Sequence, residues 1–155
     1  MARVKKICQV GFVVRNVQEA ARHFQEDYGI GEWRFSCPDE DLGELLINEK
    51  PGKFNLKVAM SNAMNIELEL MEPVGEGPYM DYLKEHGPGV HHIAVLMEDG
   101  RREVQEVLER EKAAGHPIFV HAEMAKGEPG QKMDCTCIDR RADMGAILEV
   151  YNEDR

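Results

Sequence analysis

Four polar side chains interrupt segments that otherwise read as apolar. Gln9 lies in ICQVGFVV (Ile7–Val14) and His92 in VHHIAVLM (Val90–Met97). Glu69 lies in NIELELM (Asn65–Met71) and Glu149 in GAILEVY (Gly145–Tyr151). A buried carboxylate is costly unless it is paired, protonated or bound to a cation. One divalent cation would satisfy both glutamates at once, and imidazole nitrogen with amide or carboxylate oxygen suits a borderline or hard ion. Taken singly, Gln9 or His92 reads better as a hydrogen-bonded core residue. Glu149 alone reads equally well as a residue on the wet face of an edge strand. The joint pattern brings a metal level with the bland reading, because the same two strand positions are polar in both halves of the chain.

The elements that must position these residues follow from periodicity. Ile7–Val14 is short and β-branched, as a buried strand is. Asn16 is a helix N-cap, and Val17–Tyr28 carries Val17, Ala20, Ala21 and Phe24 at helical spacing. Gly29 and Gly31 stop that helix. Trp33–Ser36 reads as a short strand. Pro38–Gly52 is acidic and turn-rich, a loop with an irregular strand at Leu45–Ile47. Phe54–Met60 is a strand, Ser61–Ala63 a turn, and Asn65–Met71 alternates strictly. A connector, Pro73–Gly89, holds one short helix at Tyr79–His86.

The same order then recurs. Val90–Met97 is a strand. Arg101–Ala114 is an amphipathic helix with Val104, Val107 and Leu108 on one face, capped by Gly115. Strands follow at Pro117–Val120, Lys132–Ile138 and Gly145–Tyr151, with a turn at Glu128–Gln131. The pattern is βαβββ, connector, βαβββ. Gln9 and His92 are separated by nearly as many residues as Glu69 and Glu149, which supports an internal repeat of structure. The fold class is α+β. One domain covers residues 1–155, with module one at about 6–72, the connector at 73–89 and module two at about 90–151.

Bulk properties narrow the partners. A chain of 155 residues suits one domain with a sizeable core. Its 19 basic and 29 acidic residues give a net charge of −10. Such a chain repels phosphate backbones, and no basic stripe with interleaved aromatics offsets that. Nucleic acid is therefore not expected as a partner. Cys135-Thr-Cys137 lacks the second pair of a zinc site and reads as two small buried side chains on one strand face. No leader-like segment and no run of about 20 apolar residues is seen, so a reduced cytoplasmic setting with no membrane partner is expected. Disorder is expected only at Asn152–Arg155.

Leu68–Asp99, LELMEPVGEGPYMDYLKEHGPGVHHIAVLMED, resembles the strand, short helix and G-x-HHIA stretch of methylmalonyl-CoA epimerases. The ending GAILEVYNED is similar to their Gly-x-x-x-Glu close. Over roughly residues 6–151 the chain resembles the vicinal oxygen chelate superfamily, which also includes glyoxalase I, extradiol dioxygenases and fosfomycin or bleomycin resistance proteins. The resemblance implies paired βαβββ modules forming a cup-shaped mixed sheet with flanking helices. It implies one divalent ion (Co, Ni, Zn or Mn) held by Gln9, Glu69, His92 and Glu149. It also implies a homodimer. His91, pointing to the opposite strand face from His92, is read as a packing residue. His23, His86, His116 and His121 match no motif and are read as surface or loop residues.

The reaction implied is proton abstraction alpha to a carbonyl or thioester, as in an epimerase or isomerase, with Glu149 as one base. The small-molecule substrate would be an acyl-CoA such as methylmalonyl-CoA. The second base is expected from the third-strand region of module one, where Asn55 and Lys57 stand. Glu67 shares a face with Glu69 and is the candidate; Glu44 and Glu49 are alternatives from the loop. The bland reading of Glu67 is a solvated residue near a cavity mouth. A glyoxalase I-type lactoylglutathione lyase is the alternative, although Val13 and Pro73 stand where glyoxalases carry an Arg and an Asn for glutathione. Gln9 in place of a His argues against an extradiol dioxygenase. A non-catalytic small-molecule-binding protein of the same fold is the third reading.

Overall fold

Asn16 does at the first helix what its type dictates. Its Oδ1 accepts the Glu19 amide at 2.8 Å, and Gly29 at φ 70° closes the other end. A computed structural model gives the positions of residues 3–41, 45–62, 65–98, 100–125 and 132–152. Among these lie ten strands and four helices, an α+β chain of two βαβββ modules. The strands are β1 (Val4–Val13), β2 (Arg34–Ser36), β3 (Leu45–Ile47), β4 (Lys50–Pro51), β5 (Leu56–Ser61), β6 (Glu67–Pro73), β7 (Gly89–Met97), β8 (Ile118–Ala125), β9 (Lys132–Arg140) and β10 (Ala146–Tyr151). The helices are α1 (Val17–Tyr28), α2 (Pro38–Asp41), α3 (Pro78–His86) and α4 (Arg101–Ala113).

The chain divides into two compact units. One gathers Gln9–Asp41 and Phe54–His91; the other gathers Met1–Cys8, Leu42–Lys53 and His92–Arg155. We call them the Gln9 unit and the His92 unit.

In the Gln9 unit the strand order is β2-β5-β6-β1, with β1 parallel to β6 and the other pairs antiparallel. Phe12 opposes Leu70, which opposes Ala59. These three share one face, and α1 lies on it with Val17, Ala21 and Phe24. Strand alternation therefore sends Gln9, Gly11, Glu67 and Glu69 to the other face. Glu72, on the helix side, accepts the Val17 amide at 2.8 Å and so supports the first turn of α1.

In the His92 unit the order is β7-β10-β9-β8-β3-β4. Helix α4 covers one face through Val104 and Val107, packed on Val95, Met97, Ile138 and Val150. The parallel β7–β10 pair then leaves His92, Ala94, Ile147 and Glu149 on the uncovered side. The stretch expected to be mostly loop, Pro38–Gly52, contains helix α2 and the hairpin β3–β4. Its two turn residues, Asn48 and Glu49, both have positive φ, as tight hairpins require. This hairpin belongs to the second unit, where β3 pairs antiparallel with β8. Strand β8 runs to Ala125, well past the expected end at Val120. The cap after α4 is Ala114, with Gly115 following at φ 78°. Glu44 and the expected turn at Glu128–Gln131 lie outside the described residues.

Candidate functional site

The His92 unit supplies an imidazole–carboxylate pair. Glu149 sits two residues along β10 from Ile147, the residue opposite His92, so the two side chains are diagonal neighbours on one face. His92 Nε2 lies 3.2 Å from Glu149 Oε2, with the side chains 2% and 14% exposed. Burial raises the Glu149 carboxyl pKa, but the charge and hydrogen bond of His92 and hydrogen bonds from Cys135 and Cys137 outweigh it. The net pKa is below the usual carboxylate value of 4.5, so the group is an ionised acceptor. The thiols reach it because Cys137 is directly opposite Glu149 and Cys135 is two residues back on the same face.

The Gln9 unit supplies a second polar group. Gln9 is buried and directly opposes Glu67 in the β1–β6 ladder. Its Nε2 donates to Glu67 Oε1 at 2.8 Å. The amide nitrogen is thus the end of Gln9 turned to Glu67, and its carbonyl oxygen is the other end. Glu69 lies on the same face, half-buried. Arg34 Nη2 approaches Glu67 Oε2 at 3.4 Å.

Within each unit the donors suit a divalent cation in kind: an imidazole nitrogen and a carboxylate in the His92 unit, an amide oxygen and a carboxylate in the Gln9 unit. Two pairings are direct, His92 with Glu149 and Gln9 with Glu67. Among the described residues no three His, Cys, Asp or Glu side chains gather into a cluster that could hold a metal.

Other expected positions fall as follows. His91 is buried against α3, with ring centroids 5.2 Å from Tyr79 and 4.6 Å from Tyr82. It is a packing residue, as its strand parity implied. His23 and His86 are exposed. His116 bonds Glu111 Oε2 at 2.6 Å. His121, expected at the surface, is buried in β8 and bonds Thr136 Oγ1 at 2.8 Å. The reason is the longer β8, which carries it under the sheet. Glu49 is exposed beside Lys112, 3.4 Å away. Lys57 lies on the helix side near Glu72, and Asn55 is a turn residue with φ 53° whose amide donates to Asp39. The expectation of Cys135 and Cys137 as small buried side chains is met, but their bonds to Glu149 were not anticipated. Pairing β9 with β10 in register would have revealed them.

The fold has solved counterparts. A variant of Streptomyces coelicolor methylmalonyl-CoA epimerase in complex with 2-nitronate-propionyl-CoA is 18% identical, with a TM-score of 0.68 over 99% of this chain and 100% of that one. Methylmalonyl-CoA epimerase from Mycobacterium tuberculosis is 16% identical, with a TM-score of 0.62 over 98% and 90% of the two chains. A hypothetical protein from Bacillus halodurans is 18% identical, with a TM-score of 0.60 over 97% and 95%. At such identities the likeness is one of fold. No curated protein sequence matches the chain. The sequence pattern of one family matches residues 8–133, most of the chain, and by it the protein belongs to the glyoxalase/bleomycin resistance protein/dioxygenase superfamily.

Proposed function

We propose that this protein is a metal-dependent epimerase or isomerase that removes a proton alpha to a carbonyl or thioester. Methylmalonyl-CoA is the first substrate to test. The observation that carries the reading is the His92–Glu149 pair: an ionised carboxylate, 14% exposed, held beside a buried imidazole on one strand face. Such a group is a competent general base. The solved epimerases with the same fold support the substrate class, since their complexes hold acyl-CoA compounds.

In this reading Glu149 takes the α-proton on an oxygen not engaged by the thiols. His92 holds the carboxylate in place and stabilises its charge before the transfer. A divalent ion bound by Gln9, Glu69, His92 and Glu149 would supply Lewis-acid stabilisation of the enolate. Glu67 is the second carboxylate, held by Gln9 and Arg34. In its protonated form it would donate its own proton to the opposite face of the α-carbon, leaving Glu149 protonated, and the two would exchange roles in the reverse direction. Inversion needs that second base, because one carboxylate reaches one face.

The test is exchange of the α-proton of methylmalonyl-CoA in deuterated water, followed by NMR with metal-loaded protein. Exchange supports the reading; its absence excludes this substrate. Elemental analysis after purification without chelators should find about one divalent ion per chain, and Glu149→Ala should lower it sharply. Metal-free protein after reconstitution would overturn the ligand set. No observation favours the glutathione-dependent lyase: Val13 and Pro73 are buried and apolar.

A further inference from the structure

Arg34 holds Glu67, and its place on the sheet gives it a second part to play. It opposes Met60 in the β2–β5 ladder, and Met60 opposes Glu69 in β5–β6. Directly opposed residues share a face, so Arg34 stands on the same side as Gln9, Glu67 and Glu69. Along that face the described strand residues of the unit are Gln9, Gly11, Val13, Arg34, Ser36, Leu56, Val58, Met60, Glu67, Glu69, Met71 and Pro73, and Arg34 is the one cation among them. Lys57 lies on the opposite face beside Glu72. In a chain of net charge −10, an anionic substrate needs a local cation on the face it approaches.

Its surroundings fit that task. The Arg34 side chain is 68% exposed, and its guanidinium meets Glu67 Oε2 at 3.4 Å, a long and solvent-screened pairing. In the amide orientation that satisfies both neighbours, Asn62 accepts from Arg34 Nη2 at 2.9 Å and donates to Glu67 Oε2 at 3.2 Å. Glu67 keeps two further donors, Gln9 and Asn62, when the arginine leaves. A guanidinium presents a planar fork that matches a carboxylate or phosphate in two parallel hydrogen bonds, a better arrangement than the single long contact seen here.

We propose that Arg34 is the specificity-determining residue of the site, and that it exchanges Glu67 for an anionic group, carboxylate or phosphate, of the incoming substrate. This deepens the reading above and rests on it. The exchange frees one lone pair of Glu67 as substrate arrives, so binding and the availability of the second base are coupled. A neutral acyl group would leave Arg34 on Glu67.

The test compares wild type with Arg34→Gln on methylmalonyl-CoA and propionyl-CoA. Both carry the same phosphates; only the first carries a free carboxylate. Arg34 buries little, so the variant should fold. KM for α-proton exchange of methylmalonyl-CoA should rise roughly 10- to 100-fold, the loss of one charge-assisted hydrogen-bond pair. Propionyl-CoA should be unaffected if Arg34 reads the carboxylate, and affected equally if it reads a phosphate. Arg34→Lys should recover part of the loss. Unchanged KM for both thioesters overturns the proposal. If wild type exchanges neither thioester, the reaction reading fails and Arg34 is judged by titration. A shift of its Nε–Hε NMR signal on adding methylmalonate or coenzyme A supports anion binding, and no shift with either overturns it.

Discussion

The two units hold a carboxylate in opposite ways. In the His92 unit Glu149, 14% exposed, has a buried imidazole at 3.2 Å and two thiols donating to it. In the Gln9 unit Glu67 is 22% exposed and rests on a buried amide and a mobile-stemmed, exposed guanidinium. The first arrangement is set before any substrate arrives. The second is built from contacts that water already weakens, so it can be exchanged. One repeat, used twice, thus holds one carboxylate in a fixed setting and the other in an exchangeable one. The two carboxylates are similarly half-buried, 14% and 22% exposed, and differ in their partners: Glu149 meets buried groups, Glu67 one buried amide and one exposed guanidinium.

The largest effect should come from the fixed half. Glu149→Gln preserves shape and a bond to His92 but removes the proton acceptor. Exchange of the α-proton should fall about 10³-fold or more. A loss within threefold would show that the chemistry is not in the His92 unit. The adjustable half should separate two readouts. Glu67→Gln should slow inversion of methylmalonyl-CoA by about 10²-fold or more, measured by chiral separation. Proton exchange from the Glu149 face should persist. Equal loss of both would make the two carboxylates one catalytic unit.

Acid should distinguish the units next. In the His92 unit burial holds the His121 pKa below its ordinary 6.5, although Asp134 and Glu123 oppose that. The neutral ring's contribution to stability is present above 6.5 and is lost as pH falls below it, because the unfolded chain then binds the extra proton. Glu111 follows. Burial raises its pKa, but hydrogen bonds and charge from Arg110, His116 and Arg140 bring it below 4.5, so its contribution is lost as pH falls below 4.5. Urea titrations should show Glu111→Gln less stable by about 2 kcal/mol at pH 7, the cost of an impaired buried ion network. His121→Gln should flatten the loss between pH 7 and 5. The smallest effect should be Cys137→Ala. It removes one donor to Glu149, so exchange should slow about fivefold, with metal content retained.

The apolar alternation of the strands was readable directly, because period two and period 3.6 are local properties. Val17, Ala21 and Phe24 on one helix stripe, and Val104 and Val107 on the other, pack where their spacing says. The parity of His91 against His92 was equally legible. The strand at Leu45–Ile47 was legible and is β3, but its return strand Lys50–Pro51 and its pairing with β8, more than seventy residues away, were not. The same distance hid His121. Arg34 could not be read either, as a lone arginine in a short strand carries no pattern.

By itself the sequence determined the repeat, the four polar interruptions and the strand faces they occupy, because side-chain alternation follows from backbone geometry alone. The tertiary structure decided which neighbours those residues acquired. Strand register put two thiols on Glu149, an amide and a guanidinium on Glu67, and His92 diagonal to its carboxylate. Register depends on pairing between segments far apart in the chain, and no local spacing encodes it.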